Sequence, residues 1–407
     1  MDKILYISYD GLTDILGKSQ ILPYIVGLTK YGYAFTIISF EKRHRKERLE
    51  SDINNIIKGL PIDWVPLTYH RNPPILSSIF DYITLLIKSI YLHKQNNFSL
   101  VHTRPGIPPL VALYLKKKYN LKYLNDVRGF WADERVDGGL WNLDNPIYKS
   151  VYNFFKEQEQ EALRLNDYTT CLTQKAKHEI VSWGDVSENK LDVIPCSVDF
   201  NLFDPNVILE EDQNSLRRLL NINPGDFVLS YLGSVGTWYL MDDMFLFFSM
   251  LIVKNSNSKF MLIIPSEDHG KALNYINKHN IDNSKVIILE LERHNIPIHL
   301  SLSSYSIFFI KPCYSKISSS PTKHGEIMAM GIPLITNSGV GDVKEIVDTT
   351  NSGYVVDSFS EEAFEEAIEH ILSTKYDKSL IRNSALPYYS LQNAITLYSN
   401  VYRKMIL

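Results

Sequence analysis

Short runs of β-branched and aromatic residues alternate along the chain with longer stretches whose apolar side chains recur three and four positions apart. In the first half the short runs are Lys3 to Ser8, Ala34 to Phe40, Asp63 to Leu67, Leu100 to Thr103, Lys122 to Asp126, Tyr168 to Leu172 and Lys190 to Ile194. Between them, Ile21 to Thr29, Leu110 to Tyr119 and Ile147 to Leu165 carry the helical spacing that lays one apolar stripe against a sheet. Strand and helix in strict alternation predict βαβ units, and hence a parallel sheet covered on both faces.

The rhythm breaks between Pro195 and Asp226, where DFNLFDPN, EEDQNS and NINPGD are polar and turn-rich, with one short helix expected near Ser215 to Leu220. It resumes with strands expected at Phe227 to Leu232, Lys259 to Ile264, Val286 to Leu289, Ser306 to Ile310, Pro333 to Thr336 and Gly353 to Val356. A final helical stripe runs through Leu391, Ala394, Ile395, Tyr398, Val401, Tyr402 and Met405. The pattern therefore predicts an α/β protein of two Rossmann-like, doubly wound parallel-sheet domains facing across a cleft. The domains are placed at 1–198 and 226–388, with a linker at 199–225 and a closing helix at 389–407. In such sheets ligands bind beyond the carboxyl ends of the strands.

Composition narrows the field. A chain of 407 residues exceeds one ordinary core, and 45% hydrophobic content argues against disorder. The formal net charge of −4 offers no general attraction to nucleic acid, so no nucleic-acid partner is expected. Cys171, Cys196 and Cys313 are too few and too scattered for a disulfide framework or a metal knuckle, which fits a reducing, cytoplasmic setting. The stretch Ile75 to Leu92 is apolar but interrupted by Asp81 and Lys88, short of a bilayer span. It reads either as a helix packed on a sheet or as a surface peripheral to the inner face of the cell membrane, which would suit a lipid-linked acceptor.

Three loops carry candidate chemistry. After the first strand, YDGLTDILGKSQ places Gly17 and Lys18 at a helix start, where free amides suit an anion, although a plain βα turn explains them equally. The spacing is not the G-x-G-x-x-G of dinucleotide sites. In the second half, YLGSVGTWYL sets Gly233 and Ser234 after a buried strand, so that backbone can approach a phosphate. The segment SSSPTKHGEIMAMGIPLI offers Ser320, Pro321 and Thr322 as a helix start, Lys323 as a fixed cation and Glu326 one turn later on the same face. His102 and Arg104 end one strand, and Asp126 and Arg128 end the next. His102 reads more readily as a core histidine than as a catalytic one.

Taken in order, SYDGLTDILGKSQILPY, VHTRPG, NDVRGFWADERVDGG, VIPCSVDFNLF, YLGSVGTWYL and SPTKHGEIMAMGIPLI resemble the retaining glycosyltransferases of family 4, of GT-B fold. The resemblance implies a nucleotide-diphospho-sugar donor held mainly by the carboxyl-terminal domain, a glycan or lipid-linked hydroxyl acceptor held by the amino-terminal one, and transfer with retention. It implies neither a metal nor any other cofactor. Carried over residue by residue, Gly233 and Ser234 look like the donor-phosphate turn, Ser320 to Lys323 like the diphosphate-binding helix start, and Glu326 like the ribose ligand. The loop at Glu292, Arg293 and His294 looks like the base site. Arg104 and Arg128 would stabilise the leaving phosphate, with Asp126 as acid-base candidate. The sequence departs from the family where Ser234 and Tyr239 replace an arginine and a lysine and where Ser318 replaces the first of two glutamates, which leaves Lys323 as the expected substitute cation. A sugar-nucleotide epimerase of the same fold, and a degenerate nucleotide-sugar-binding protein, are the competing readings.

Overall fold

The computed structural model describes residues 1–184 and 186–406. Residue 407, the last of the expected closing helix, lies outside the described residues. The chain divides into two compact units, one of Met1–Pro195 with the segment from Leu391 onward, the other of Cys196–Ser390.

The first unit holds a seven-stranded sheet built from β1 (Asp2–Ser8), β2 (Tyr33–Glu41), β3 (Ile62–Thr68), β4 (Leu100–Thr103), β5 (Lys122–Val127), β6 (Tyr168–Cys171) and β7 (Leu191–Val193). All neighbours pair in parallel, in the order β3-β2-β1-β4-β5-β6-β7. The period of two along a strand sends Ile4 and Tyr6 of β1 to one face and Leu5 and Ile7 to the other. The first face is covered by the helix Leu22–Thr29, by Ile53 and Ile57 of the helix Arg43–Ile57, and by the final helix Leu391–Ile406. Leu85, Val111 and Ala162, from the helices Leu76–Asn96, Pro108–Tyr119 and Pro146–Leu165, cover the second. The helix Arg43–Ile57 was not legible beforehand because only two of its fifteen residues are buried, too few to write an apolar stripe.

The second unit holds β8 (Phe227–Leu232), β9 (Ser258–Ile263), β10 (Val286–Leu289), β11 (Tyr305–Phe308), β12 (Leu334–Asn337) and β13 (Gly353–Val356), parallel and ordered β10-β9-β8-β11-β12-β13. The stretch 199–225 lies within this unit: Phe203 and Ile222 are buried in its core, and Arg382 donates to the carbonyls of Phe200, Phe203 and Ala329. Its one α-helix is Glu210–Leu219, longer than the composition suggested.

The final helix joins the first unit through side chains that interlock. Gly27 lets the helices meet, since a Cβ there would lie 2.2 Å from Cδ1 of Ile395. Gly27→Ala should therefore destabilise the first unit by about 1–2 kcal/mol. Adding Ile395→Val, which deletes the obstructing Cδ1, should recover part of the loss in urea titrations; simple additivity would contradict this packing account.

Candidate functional site

In the first unit the strand ends gather a buried charge cluster. Asp126, at the end of β5, accepts hydrogen bonds from Thr170 Oγ1 (2.8 Å) and from the Tyr398 hydroxyl (3.0 Å), and His102 Nε2 lies 3.5 Å away. Burial alone would raise its pKa, but Arg128, His102 and Arg104 together outweigh burial and bring it down to about 2. Arg128 reaches the Tyr398 hydroxyl at 3.2 Å and Gln20 Oε1 at 3.2 Å. Arg104 donates to the Gln20 carbonyl at 3.3 Å and lies 3.5 Å from Asp10. His102 is buried, its basicity lowered by desolvation, and its Nδ1 sits 2.7 Å from the Tyr402 hydroxyl. The three residues expected from sequence, Asp126, Arg128 and Arg104, are thus brought together. Gln20, Tyr398 and Tyr402, which sequence reasoning missed, complete the network, the tyrosines arriving from the far end of the chain.

A carboxylate ionised down to about pH 2 is a weak base, so these electrostatics favour an anchoring role for Asp126 over the acid-base role expected from sequence. Gly17 and Lys18 sit on the short helix Ile15–Gln20, with Gly17 buried and Lys18 half-buried. A Cβ on Gly17 would lie 2.1 Å from the Gly11 carbonyl, so close packing of the helix on its own loop explains this glycine. Glu41, at the end of β2, fixes that loop by accepting from the amides of Leu12 (2.7 Å) and Thr13 (3.1 Å).

The second unit assembles a different site around one lysine. Lys323 is in the first turn of the helix Thr322–Ala329, buried, with Nζ 4.4 Å from the centre of the Tyr231 ring and 3.7 Å from that of Tyr239. Its polar contact is the Tyr231 hydroxyl at 3.3 Å, and among the described residues no carboxylate lies within ion-pair distance of Nζ. Burial lowers its pKa to about 7, against a smaller opposing pull from Glu326. Gly233, at φ 141°, makes room: a Cβ there would stand 2.4 Å from Nζ. Tyr239, where the resembled family carries a lysine, is one wall of this cage.

Glu326 is buried and paired with Arg293 Nη1 at 2.7 Å. The loop after Gly233 is pinned by buried Asp268, which accepts from the Val235 amide (2.7 Å) and holds Lys271 (2.7 Å), and by the Tyr231 hydroxyl, which donates to the Ser234 carbonyl at 2.7 Å. Pro321 takes the N-cap position and no side chain caps the helix; Ser320 Oγ instead accepts from the Cys196 amide at 3.2 Å. Lys316, a cation the sequence reading passed over, lies 3.8 Å over the Trp238 ring. Ser318 is buried and donates to the Ser315 carbonyl at 2.8 Å. Gly233, Ser234, Ser320, Thr322, Lys323 and Glu326 therefore all belong to one strand-end region of this unit, with exposed Ser234 on the rim.

The Asp126 network carries a pH signature. Its folded pKa lies below the usual carboxylate value, so it stabilises the fold above about pH 4, a contribution of about 2 kcal/mol that is lost as pH falls through about 2. Asp126→Asn should lower stability at neutral pH by about 3 kcal/mol, since the arginines lose their counter-charge. The gap to the natural chain should narrow below about pH 4 in denaturation monitored by circular dichroism. A gap independent of pH would contradict the assignment.

Among the solved structures that match this chain, three cover essentially its whole length. A glycosyltransferase from Rickettsia africae is 16% identical, with a TM-score of 0.71 covering 100% of this chain and 98% of its own. A sucrose-phosphate synthase from Thermosynechococcus elongatus is 14% identical, at 0.73 and 99% of each chain. HepE from Anabaena, in complex with UDP, is 13% identical, at 0.72 over 99% of this chain and 100% of its own. No curated protein matches by sequence. The fold is therefore GT-B, two parallel-sheet Rossmann-like units with a C-terminal helix. The part of the chain that builds the lysine site, residues 212–385, matches the family described as glycosyl transferases group 1.

Proposed function

We propose that this chain is a glycosyltransferase that moves a sugar from a nucleotide-diphospho-sugar to a hydroxyl acceptor, a glycan or a lipid-linked glycan. The observation that carries the reading is Lys323: a buried amine without an ion-pair partner among the described residues, at the start of a helix with no side-chain cap, beside a glycine whose missing Cβ clears its approach. Such a site is prepared for an anion. A diphosphate would supply the negative charge the cage lacks and accept from the helix-start amides. We read Glu326, which pairs with Arg293, as the acceptor of ribose hydroxyls, and the loop at Glu292, Arg293 and His294 as the base site that the resemblance implies. The match of residues 212–385 to group 1 glycosyl transferases, and the UDP bound by the Anabaena neighbour, support a nucleotide-sugar donor and make a uridine nucleotide the first to try.

In the first unit, Arg104 and Arg128 are proposed as the positive groups that serve the reaction, with Asp126 keeping them charged and fixed. Retention at the anomeric carbon and transfer without a metal ion or other cofactor belong to the same proposal and rest on the family resemblance. A cytoplasmic location belongs to the proposal too and rests on the few, scattered cysteines.

Lys323→Met should weaken nucleoside-diphosphate binding about ten- to hundredfold in calorimetry, without loss of fold, because a charge-assisted contact disappears while an apolar side chain fills the cage. Glu326→Ala should lower donor turnover at least about tenfold with the diphosphate affinity less affected. Unchanged diphosphate affinity in the lysine variant would overturn the site, and the absence of any nucleotide-sugar turnover by the natural chain would overturn the activity.

Binding should also depend on pH. The free amine titrates at about 7 and the diphosphate favours its charged form, so above that pH binding takes up a proton. Affinity should therefore fall as pH rises beyond about 7, by up to about tenfold per unit. Calorimetry in buffers of different ionisation enthalpy reads the proton directly, and binding without proton uptake at pH above about 8 would contradict the assignment.

A further inference from the structure

The helix Leu76–Asn96 packs Leu85 and Leu92, with Tyr82, Leu86 and Ile90 beside them, on the core and still presents a second apolar face to solvent. Toward the protein it buries Ser77, Asp81 and Ser89 along with Leu85 and Leu92. Toward solvent, every exposed position from 76 to 91 is apolar or aromatic: Leu76, Ile79, Phe80, Ile83, Ile87 and Tyr91. Leu76 is 65% exposed, Phe80 56% and Ile87 64%, so this is an open surface rather than the edge of a core. Spacings of three and four residues align them into one continuous stripe, about 22 Å long at the rise of an α-helix. Isolated exposed hydrophobics are ordinary, but a four-turn stripe with no polar interruption marks a contact surface.

Charge identifies what covers it. The helix's one carboxylate, Asp81, faces inward, 2.6 Å from His70 Nδ1 and 2.7 Å from the Tyr9 hydroxyl. Lys94 is exposed and continues the line of the stripe, and Lys88 flanks it with Nζ 5.4 Å from the Tyr91 ring. Lys118 of the neighbouring helix stands near the same end, over Tyr119, whose ring packs on His93. The exposed face of this helix thus combines aliphatic and aromatic groups with cations and presents no carboxylate of its own. A second copy of the chain would set these lysines against a face with nothing to neutralise them. An anionic bilayer surface supplies both the apolar layer and the opposite charge. No helix among the described residues is long and apolar enough to cross a membrane, so the contact is one of lying in the interface.

We infer that the solvent-facing stripe of the helix Leu76–Asn96 docks the protein on the surface of a membrane containing anionic lipid. The buried Asp81 on the inward face ties this helix to Tyr9, in the loop after β1, so the docking helix is anchored to the sheet whose neighbouring strands end at Arg104, Asp126 and Arg128. Docking is independent of the proposed transfer reaction and is tested without it.

The test is co-sedimentation of the full chain with vesicles. The natural protein should pellet with phosphatidylcholine vesicles containing about one third phosphatidylglycerol, and much less with phosphatidylcholine alone or in high salt. Ile83→Asp with Ile87→Asp should reduce the bound fraction at least about tenfold, because both apolar groups leave the interface and negative charge enters it. Lys88→Gln with Lys94→Gln should remove the preference for anionic vesicles. Both pairs replace surface side chains, so their melting temperatures and nucleoside-diphosphate binding should match those of the natural chain. Failure of the natural protein to pellet with anionic vesicles would overturn the inference, as would equal pelleting of the aspartate variant. A dimer seen by light scattering that the aspartate pair dissociates would assign the stripe to a second copy instead.

Discussion

A lysine buried between two tyrosine rings, with no carboxylate among the described residues within ion-pair distance, is the constraint around which the second unit is arranged. Placing an ammonium in that cage disfavours its charge, which is why the amine titrates at about 7. The rest of the neighbourhood maintains the situation. Gly233 omits the side chain that would collide with Nζ, and Asp268 locks the loop that follows. Arg293 pairs with a nearby carboxylate, Glu326, so that it does not serve as the lysine's full-time partner. A site that withholds a counter-ion from a cation is prepared to take one from a ligand, at some expense in stability.

The first unit solves the opposite problem. There the charges are buried but mutually satisfied: Asp126 draws on Thr170, Tyr398 and His102, and its pKa falls to about 2 despite burial. Two of the groups that complete this network, Tyr398 and Tyr402, lie on the final helix, which returns from the end of the second unit to pack on the first. That helix thus acts beyond covering a sheet face. Its hydroxyls set the positions of the residues at the ends of β4 and β5, linking fold closure to the arrangement of Arg128 and His102.

Much of the architecture was legible because it is written in periodicity: buried parallel strands read as apolar runs, and the helices covering them show one stripe each. The helix Arg43–Ile57 was not, because Ile53 and Ile57 alone face inward. The stretch 199–225 looked like a linker because its polar majority hides Phe203 and Ile222, the two anchors that bind it into the second core. For the site, Gly233, Lys323 and Glu326 could be named from a glycine turn and a helix start. Tyr231 and Lys316 stand close by in sequence but in no pattern that gives them a role, Asp268 arrives from a distant element, and Arg293 was named for the base loop rather than as the partner of Glu326. Tyr239 is instructive: by sequence it was a missing cation, whereas in space it is a wall holding the cation that is present. The stripe on Leu76–Asn96 was visible as an apolar run, but only the structure shows which part of it packs on the core and which part faces out.

The central claim is that Lys323 is an unneutralised amine awaiting a diphosphate, and the most direct measurement is its own titration. With lysine labelled at the ε-carbon and the resonance assigned through Lys323→Met, nuclear magnetic resonance should show titration near 7 in the free protein. Saturation with a nucleoside diphosphate should carry that midpoint up toward the ordinary lysine value. A resonance that titrates as an ordinary lysine in the free protein, or one that the diphosphate leaves unmoved, would contradict the account.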